Sequence, residues 1–324
     1  MSKLIKSLLW LIVLFICLGI IYQYIATRLD ERKYPPIGKM VDVGGYKLHM
    51  IDEGAGSPVV VMDAALGNIT LDWSLVQPEI AKFTRVITYD RAGFAWSNAS
   101  PLKRISENEV QELHAMLHNA QIPQPYILVG HSLGEINVRL FATMYPDEVA
   151  GIVLVDSSHE LQLEKLPKTS TPWYLKPKIA EIISNLGIFR FMNYVPSQKR
   201  KYSADVQKMY DSQKLTTKFI HAVTDEMAHL KDSFHQLQIT GGSLGDKPLT
   251  VISAGKKRSN KGNLPEKEFE QMIKNLQDMQ KDLVTKSARG KQIIAEKSGH
   301  MVNYDQPEII VDAVREMVDE LRSK

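Results

Sequence analysis

Ser132 lies inside Gly130-His131-Ser132-Leu133-Gly134, a G-x-S-x-G pentapeptide in a chain of 324 residues. Before it, Tyr126-Ile127-Leu128-Val129 reads as a short buried strand; after it, Ile136, Val138, Leu140 and Phe141 recur as on an amphipathic helix. A strand that turns sharply into a helix brings backbones close together, and glycine at 130 and 134 permits that approach. The turn lifts the serine hydroxyl above the sheet, beside the positive end of the helix. Such a hydroxyl is a weak nucleophile at neutral pH and needs a general base within hydrogen-bond reach. Of nine histidines, His300 in Ser298-Gly299-His300-Met301 is best placed, between the last expected strand and the last expected helix. A serine with an imidazole base is equipment for acyl transfer. His131 is expected to point into the packing behind the turn, and His114 and His118 to be solvated on the preceding helix.

The elements that must position these groups follow from periodicity. Met40 to Glu53 reads as two short strands around Gly44-Gly45. Val59 to Met62 is a buried strand, Trp73 to Phe83 a helix, and Arg85 to Tyr89 a strand leading into Asp90-Arg91-Ala92-Gly93-Phe94. A helix from Ser106 to Ala120 precedes the serine strand, and Gly151 to Val155 is the strand after the serine helix. This alternation predicts a doubly wound, mostly parallel α/β sheet that binds ligands at the carboxyl ends of its strands. Strand patterning stops between Ser157 and Asp246, where helical segments are punctuated by Pro167, Pro172, Pro177 and Pro196. Trp173, Tyr174, Phe189, Phe191, Met192 and Tyr194 gather in its first half. The sheet resumes at Leu249 to Ser253 and ends at Gln292 to Ala295. The expected organisation is therefore a core of residues 34–156 and 247–324, interrupted by an all-helical cap at 157–246 that sits over Ser132. Asp305-Gln306-Pro307-Glu308 reads as a capping box of the final helix, making Asp305 a cap rather than a catalytic acid. Glu135, in the first turn of the serine helix, reads as structural, with some capacity to disfavour anionic substrates.

Residues 1–33 are expected to be a membrane anchor and linker. From Ser7 to Thr27 no side chain is charged, and a helix of that length spans roughly 31 Å, the thickness of a hydrocarbon core. Lys3 and Lys6 flank one end and Arg28, Arg32 and Lys33 the other, with Trp10, Tyr22 and Tyr24 suited to the interfaces. The length and the lack of a small-x-small site favour an uncleaved single span over a signal peptide. Positive charge is nearly balanced across the span; the short Lys-bearing N-terminus places the catalytic domain outside the cytoplasm. The single cysteine, Cys17, lies within the span, which excludes disulfides and a cysteine nucleophile in the rest of the chain. A net charge of +3, with only short basic runs at Lys199-Arg200-Lys201 and Lys256-Lys257-Arg258, gives no nucleic-acid face. His221, Asp225 and His229 fall at i, i+4 and i+8, with Asp232 and His235 beyond. Metal ligands can have that spacing, but this reads as a wet helix face, and no metal or other cofactor is expected.

The pentapeptide in its context, Asp90 to Ser97, Gly151 to Asp156 and Ser298 to Glu308 together resemble the α/β-hydrolase superfamily, over roughly Lys39 to the C-terminus. The resemblance implies an oxyanion hole from backbone N–H groups, assigned to Ala65 and Leu133. Here the chain departs from the family's His-Gly, carrying Asp63-Ala64-Ala65-Leu66-Gly67; backbone donors tolerate such a change. It departs again after the cap, where the family's usual acid is replaced by Ala254-Gly255-Lys256-Lys257-Arg258-Ser259-Asn260-Lys261, without a carboxylate. Asp156, at the tip of the strand after the serine helix, is the best replacement; Glu266 and Glu268 are the fallbacks, and Asp156 alternatively caps a turn of the insertion.

The expected activity is that of a membrane-anchored serine hydrolase acting on a carboxylic ester or related acyl substrate through an acyl-enzyme on Ser132. Relatives that open epoxides or remove halogen place an aspartate at the elbow, so Ser132 disfavours those reactions. Carbon–carbon or peptide-bond hydrolysis on the same fold remains an alternative. So does a non-catalytic binding or scaffold protein that retains the fold.

Overall fold

The computed structural model describes residues 3–167, 176–194, 202–240, 243–256, 262 and 264–323. Pro172, Trp173, Tyr174, Pro196, the Lys199 to Lys201 run and Lys257 to Lys261 lie outside the described residues. Among the described residues a single helix, α1 (Lys3–Lys33), is long and apolar enough to cross a membrane. It leads into a hairpin of β1 (Lys39–Asp42) and β2 (Lys47–Glu53), turned by Gly44 and Gly45 at φ 112° and 99°. Asp42 Oδ1 accepts both glycine N–H groups, at 2.9 and 3.2 Å. Next come β3 (Val59–Asp63), α2 (Gln77–Ile80), β4 (Val86–Tyr89), α3 (Ser106–Asn119), β5 (Tyr126–His131), α4 (Gly134–Met144) and β6 (Val149–Val155).

The helix expected over Trp73 to Phe83 is broken into a 3-10 turn, Thr70–Trp73, and the single turn of α2. Trp73, Val76 and Ile80 are buried at helical spacing, as anticipated. Asp72 Oδ2 accepts the Ile69 N–H at 2.7 Å, however, and Pro78, lacking an N–H, begins a new turn.

Between β6 and β7 (Leu249–Ala254) every described element is helical: α5 (Gln162–Lys165), α6 (Pro177–Asn185), α7 (Ile188–Phe191), α8 (Ala204–Lys214), α9 (Thr217–Ala228) and α10 (Leu230–Thr240). The chain then completes α11 (Glu266–Val284), β8 (Gly290–Ala295), α12 (Val302–Asp305) and α13 (Pro307–Arg322).

The eight strands run in the order β1-β2-β4-β3-β5-β6-β7-β8. The β1–β2 and β2–β4 pairs are antiparallel and the rest parallel. Uninterrupted apolar runs form the central strands because both faces are covered. Leu128 and Ile152 pack with Leu113, Leu117, Ile136 and Phe141 of α3 and α4. On the other face Ile127, Val129 and Val153 pack with Ile310, Val314 and Val318 of α13. The insertion contributes Phe189, Tyr210, Leu215 and Phe219 to a third cluster, with Ile69, Leu71, Phe94 and Trp96 of the core.

Insertion and core are also joined by a buried ion cluster. The Arg91 guanidinium donates from Nη1 to Asp63 Oδ1 at 2.7 Å and from Nε to Glu226 Oε1 of α9 at 2.7 Å. Glu109 Oε2 lies 3.6 Å from Nε, and Asn137 Nδ2 donates to both Asp63 and Glu109. Burial and the neighbouring Glu226 push the Glu109 carboxyl well above the usual carboxylate range. With Arg91→Met the carboxylates of Asp63 and Glu226 stay buried without their cation. Unfolding by denaturant in detergent is expected to show a loss of about 3–5 kcal/mol; a change under ~1 kcal/mol would contradict this account of how the insertion is held.

Candidate active site

Two adjacent parallel strands end in residues with left-handed backbones, Ser132 after β5 at φ 53° and Asp156 after β6 at φ 36°. Such conformations cost on the order of 1–3 kcal/mol each and persist where neighbouring bonds fix them. Here Ser132 N donates to Val155 O at 3.2 Å, Ser158 N to Ser132 O at 3.0 Å, and Asp156 N to Ile252 O at 2.7 Å. The Ser132 turn needs its glycines because the backbones touch. A Cβ at Gly134 would lie 2.6 Å from Asp63 O, and one at Gly130 2.8 Å from Glu135 Cα.

These turns converge on His300. Its Nδ1 is 2.7 Å from Asp156 Oδ2 and its Nε2 is 3.1 Å from Ser132 Oγ. The ionised carboxylate only accepts, so Nδ1 carries the hydrogen and Nε2 is free to take the serine proton. Asp156 Oδ1 accepts the Ala254 N–H at 3.0 Å, which fixes the carboxylate plane. His300 itself is 43% exposed on its side chain, whereas Asp156 is buried. Glu266 and Glu268, the fallback acids, are exposed in the first turn of α11, and neither is a described partner of His300.

The loop carrying His300 is braced from several sides. Asp305 Oδ2 accepts the Gly299 N–H at 2.9 Å and Gln306 Oε1 accepts the Lys297 N–H at 2.7 Å. The expected capping box is therefore absent: Gln306 is the N-cap of α13 and makes no side-chain cap bond. The short α12 turns Asp305 toward the histidine loop instead. His131 is buried as expected, edge-on to Trp73, and its Nε2 donates to His300 O at 2.9 Å.

The Ala65 and Leu133 N–H groups are not engaged in a hydrogen bond among the described residues. Arg91 Nη1 donates to Ala64 O at 2.8 Å and Nη2 to Ala65 O at 3.1 Å. The peptide between Ala64 and Ala65 is trans, so the Ala65 N–H points away from Arg91.

Glu135 is structural, as expected: it is fully buried, paired with Arg139 at 2.7 Å and pushed up to about 7 by burial, and that burial removes the expected capacity to disfavour anionic substrates. Other readings of the sequence are revised. His114 is not merely solvated: it stacks on Tyr145 with ring centroids 3.8 Å apart and pairs with Glu148. Asp225 bonds His229 and accepts the Arg104 N–H, and it lines a cleft of about 310 Å³ together with His221, Lys218 and Glu181. A cluster hidden from sequence spacing, His159, Glu160 and Asp282, has ligand-type atoms within 4.8 Å of one another. Arg139 and Lys286 reach its carboxylates at 2.8 and 2.9 Å and supply the positive charge that a metal would bring.

Burial lowers the His131 imidazole to about 4 from its ordinary 6.5. As pH falls from 6.5 to about 4, the unfolded chain takes a proton that the folded chain refuses, and stability is lost across that window. The loss amounts to ~3 kcal/mol. The His131→Gln variant should flatten the pH dependence of denaturant unfolding by about that amount. An unchanged acid slope would contradict it.

A family model for the alpha/beta hydrolase fold matches residues 57–176. The chain is 31% identical over 161 residues to a 2-hydroxymuconate semialdehyde hydrolase of Pseudomonas sp. (strain CF600), covering 48% of this chain and 56% of that one. It is 22% identical over 315 residues to a protein of Hormonema carpetanum named a probable transporter, covering 88% of this chain but only 43% of the longer relative. A thermophilic esterase from Thermogutta terrifontis superposes with a TM-score of 0.59 at 21% identity, over 87% of this chain and 98% of that one. Epoxide hydrolases and a haloalkane dehalogenase share the same fold. The eight-stranded sheet, its helical insertion and these likenesses show that the chain has the α/β-hydrolase fold.

Proposed function

We propose that the chain is a membrane-anchored serine hydrolase that cleaves carboxylic esters or related acyl substrates, with the insertion as its cap. The observation that carries this reading is the continuous chain of hydrogen bonds from Ser132 Oγ through His300 to Asp156. In the forward half-reaction Ser132 Oγ attacks the carbonyl carbon and His300 Nε2 takes the hydroxyl proton. The Ala65 and Leu133 N–H groups hold the developing oxyanion. Collapse of the tetrahedral adduct breaks the ester C–O bond, and His300 returns the proton to the departing alcohol. Water, deprotonated by His300, then attacks the acyl-enzyme and releases the acid. Asp156 stabilises the imidazolium formed in both halves. This route calls for no metal or organic cofactor.

A second reading, carbon–carbon bond hydrolysis by the same serine, draws support from the identity to the 2-hydroxymuconate semialdehyde hydrolase. Esters and vinylogous diketones assayed side by side separate the two. The binding-protein alternative rests on the altered loop at Asp63 to Gly67 and on the missing acid after the insertion; the 2.7 Å contact of Asp156 Oδ2 with His300 Nδ1 supports the hydrolase reading instead.

The full-length protein in detergent should be labelled at Ser132 by a fluorophosphonate, with labelling lost in Ser132→Ala and weakened in His300→Ala. Asp156→Asn should lower kcat/KM by about 10³–10⁴-fold, and near-normal turnover would exclude it as the triad acid. Absence of labelling on the folded wild-type chain would favour the binding-protein reading. We place the catalytic domain outside the cytoplasm, so protease added to intact cells should digest it; full protection would reverse the orientation.

A further inference from the structure

Helix α1 is not joined to the rest of the chain by its last residues alone. Gly19, Gln23, Thr27 and Asp30 recur at intervals of four and three, forming one stripe that lies against α6, α7 and the end of α8. A Cβ at Gly19 would sit 2.7 Å from Leu186 O, and one at Gly187 2.8 Å from the Tyr22 ring, so backbones approach closely there. Gln23 is only 4% exposed, donating to Leu215 O at 2.9 Å and accepting from Arg190 Nε at 3.1 Å. Arg190 also pairs with Asp30. A buried, fully engaged amide and guanidinium fix the helix to the insertion rather than leaving it as a free tether. Farther along, Trp96 Nε1 donates to Tyr34 O at 2.9 Å.

The docked stripe overlaps the apolar stretch. The uncharged segment runs from Ser7 to Thr27 and matches a hydrocarbon core of about 30 Å. Its portion from Gly19 onward, roughly 12 Å of helix, is flanked on one side by α6 and α7. The uncharged residues before Gly19, Ser7 to Leu18, supply only about 18 Å, too short to cross alone. The opposite face of the same turns, Ile20, Ile21, Ile25 and Leu29, stays exposed and apolar. Beside it the insertion exposes its own large apolar side chains: Ile182, Ile188, Phe191 at 83% and Met192 at 68%. Lys176 and Lys178, at the start of α6, are exposed as well.

We propose that the α6–α7 face of the insertion is itself membrane-embedded, sitting within the leaflet that receives the C-terminal half of α1, with Ile182, Ile188, Phe191 and Met192 in contact with lipid. Its partner is the bilayer, and the inference rests on reading α1 as a membrane span. The Gln23–Arg190–Asp30 cluster is then tolerated at hydrocarbon depth because its polar atoms face one another and not the acyl chains. The insertion is held at a fixed depth instead of swinging in water above the surface.

Cys17 is the only cysteine, so Cys17→Ala provides a background in which single probes report one position each. Full-length chains carrying Phe191→Cys, Ile12→Cys or Glu270→Cys are labelled with the polarity-sensitive dye NBD and reconstituted into phosphatidylcholine vesicles. Doxyl-labelled lipid and aqueous iodide serve as quenchers. The expected result is a blue-shifted NBD at 191, quenched severalfold more by doxyl lipid than by iodide, as at 12 and opposite to 270. A lipid-quenched probe at 12 with an iodide-quenched probe at 191 would overturn the embedding while leaving the anchor intact. A probe at 191 shielded from both quenchers would overturn it in favour of a protein contact. A water-exposed probe at 12 would overturn the anchor and the embedding together.

Discussion

A guanidinium in a dry interior is costly unless each of its donors meets an acceptor, and Arg91 is buried at 3% exposure with its donors directed to several parts of the chain. Asp63 terminates β3, the Ala64 and Ala65 carbonyls belong to the loop that follows it, and Glu226 comes from α9 of the insertion. Charge balance thereby sets the path of the loop after β3 and the position of the insertion with one group. The cluster holds three carboxyl groups around that cation, and burial keeps Glu109 protonated well above the usual range, which lessens the repulsion among them. A second buried pair, Arg104 with Glu112 at 2.7 Å, extends this polar seam between α3 and the loop before it.

Once β3 and its loop are fixed, the geometry of the neighbouring turns follows from close packing. Gly134 fits against the Asp63 carbonyl with no room for a Cβ, so the same strand end that meets Arg91 also seats the Ser132 turn. Ser132 and Asp156 occupy left-handed backbones on adjacent strands, linked by the bond from Ser132 N to Val155 O. Backbone strain at both positions is maintained by the closely packed, almost wholly buried central strands β5 and β6. His300, the most exposed of the three groups, depends on its own bracing: its loop is held by Asp305, Gln306 and His131.

The insertion connects these two regions to α1. Its α9 end is bound to Arg91 inside the protein, while its α6–α7 end is bound to α1 through Gln23 and Arg190. Two polar contacts in low-dielectric surroundings thus fix opposite ends of one helical unit.

Much of this was legible in sequence because it rests on local rules. Period-2 and period-3.6 patterns located the strands and the helices flanking the serine, and the glycine–serine–glycine spacing marked the sharp turn by sterics alone. His300 was legible because it lies between an apolar strand and an amphipathic helix. Sequence puts Asp156 ahead of Glu266 and Glu268 but leaves them as fallbacks, since reaching His300 depends on which strand ends lie side by side. The capping box expected at Asp305 does not form, because its carboxylate takes the Gly299 N–H of the histidine loop six residues back. Arg91 and Glu226 are 135 positions apart, and nothing in the neighbourhood of Glu226 foretells that partner. Nothing in the neighbourhood of Gln23 foretells its burial against Arg190 and Leu215 either. Apolar periodicity and backbone sterics act over a few residues and are written in the sequence. The pairing of buried charges is decided only when distant segments are brought together out of water, and that assembly is what tertiary structure adds.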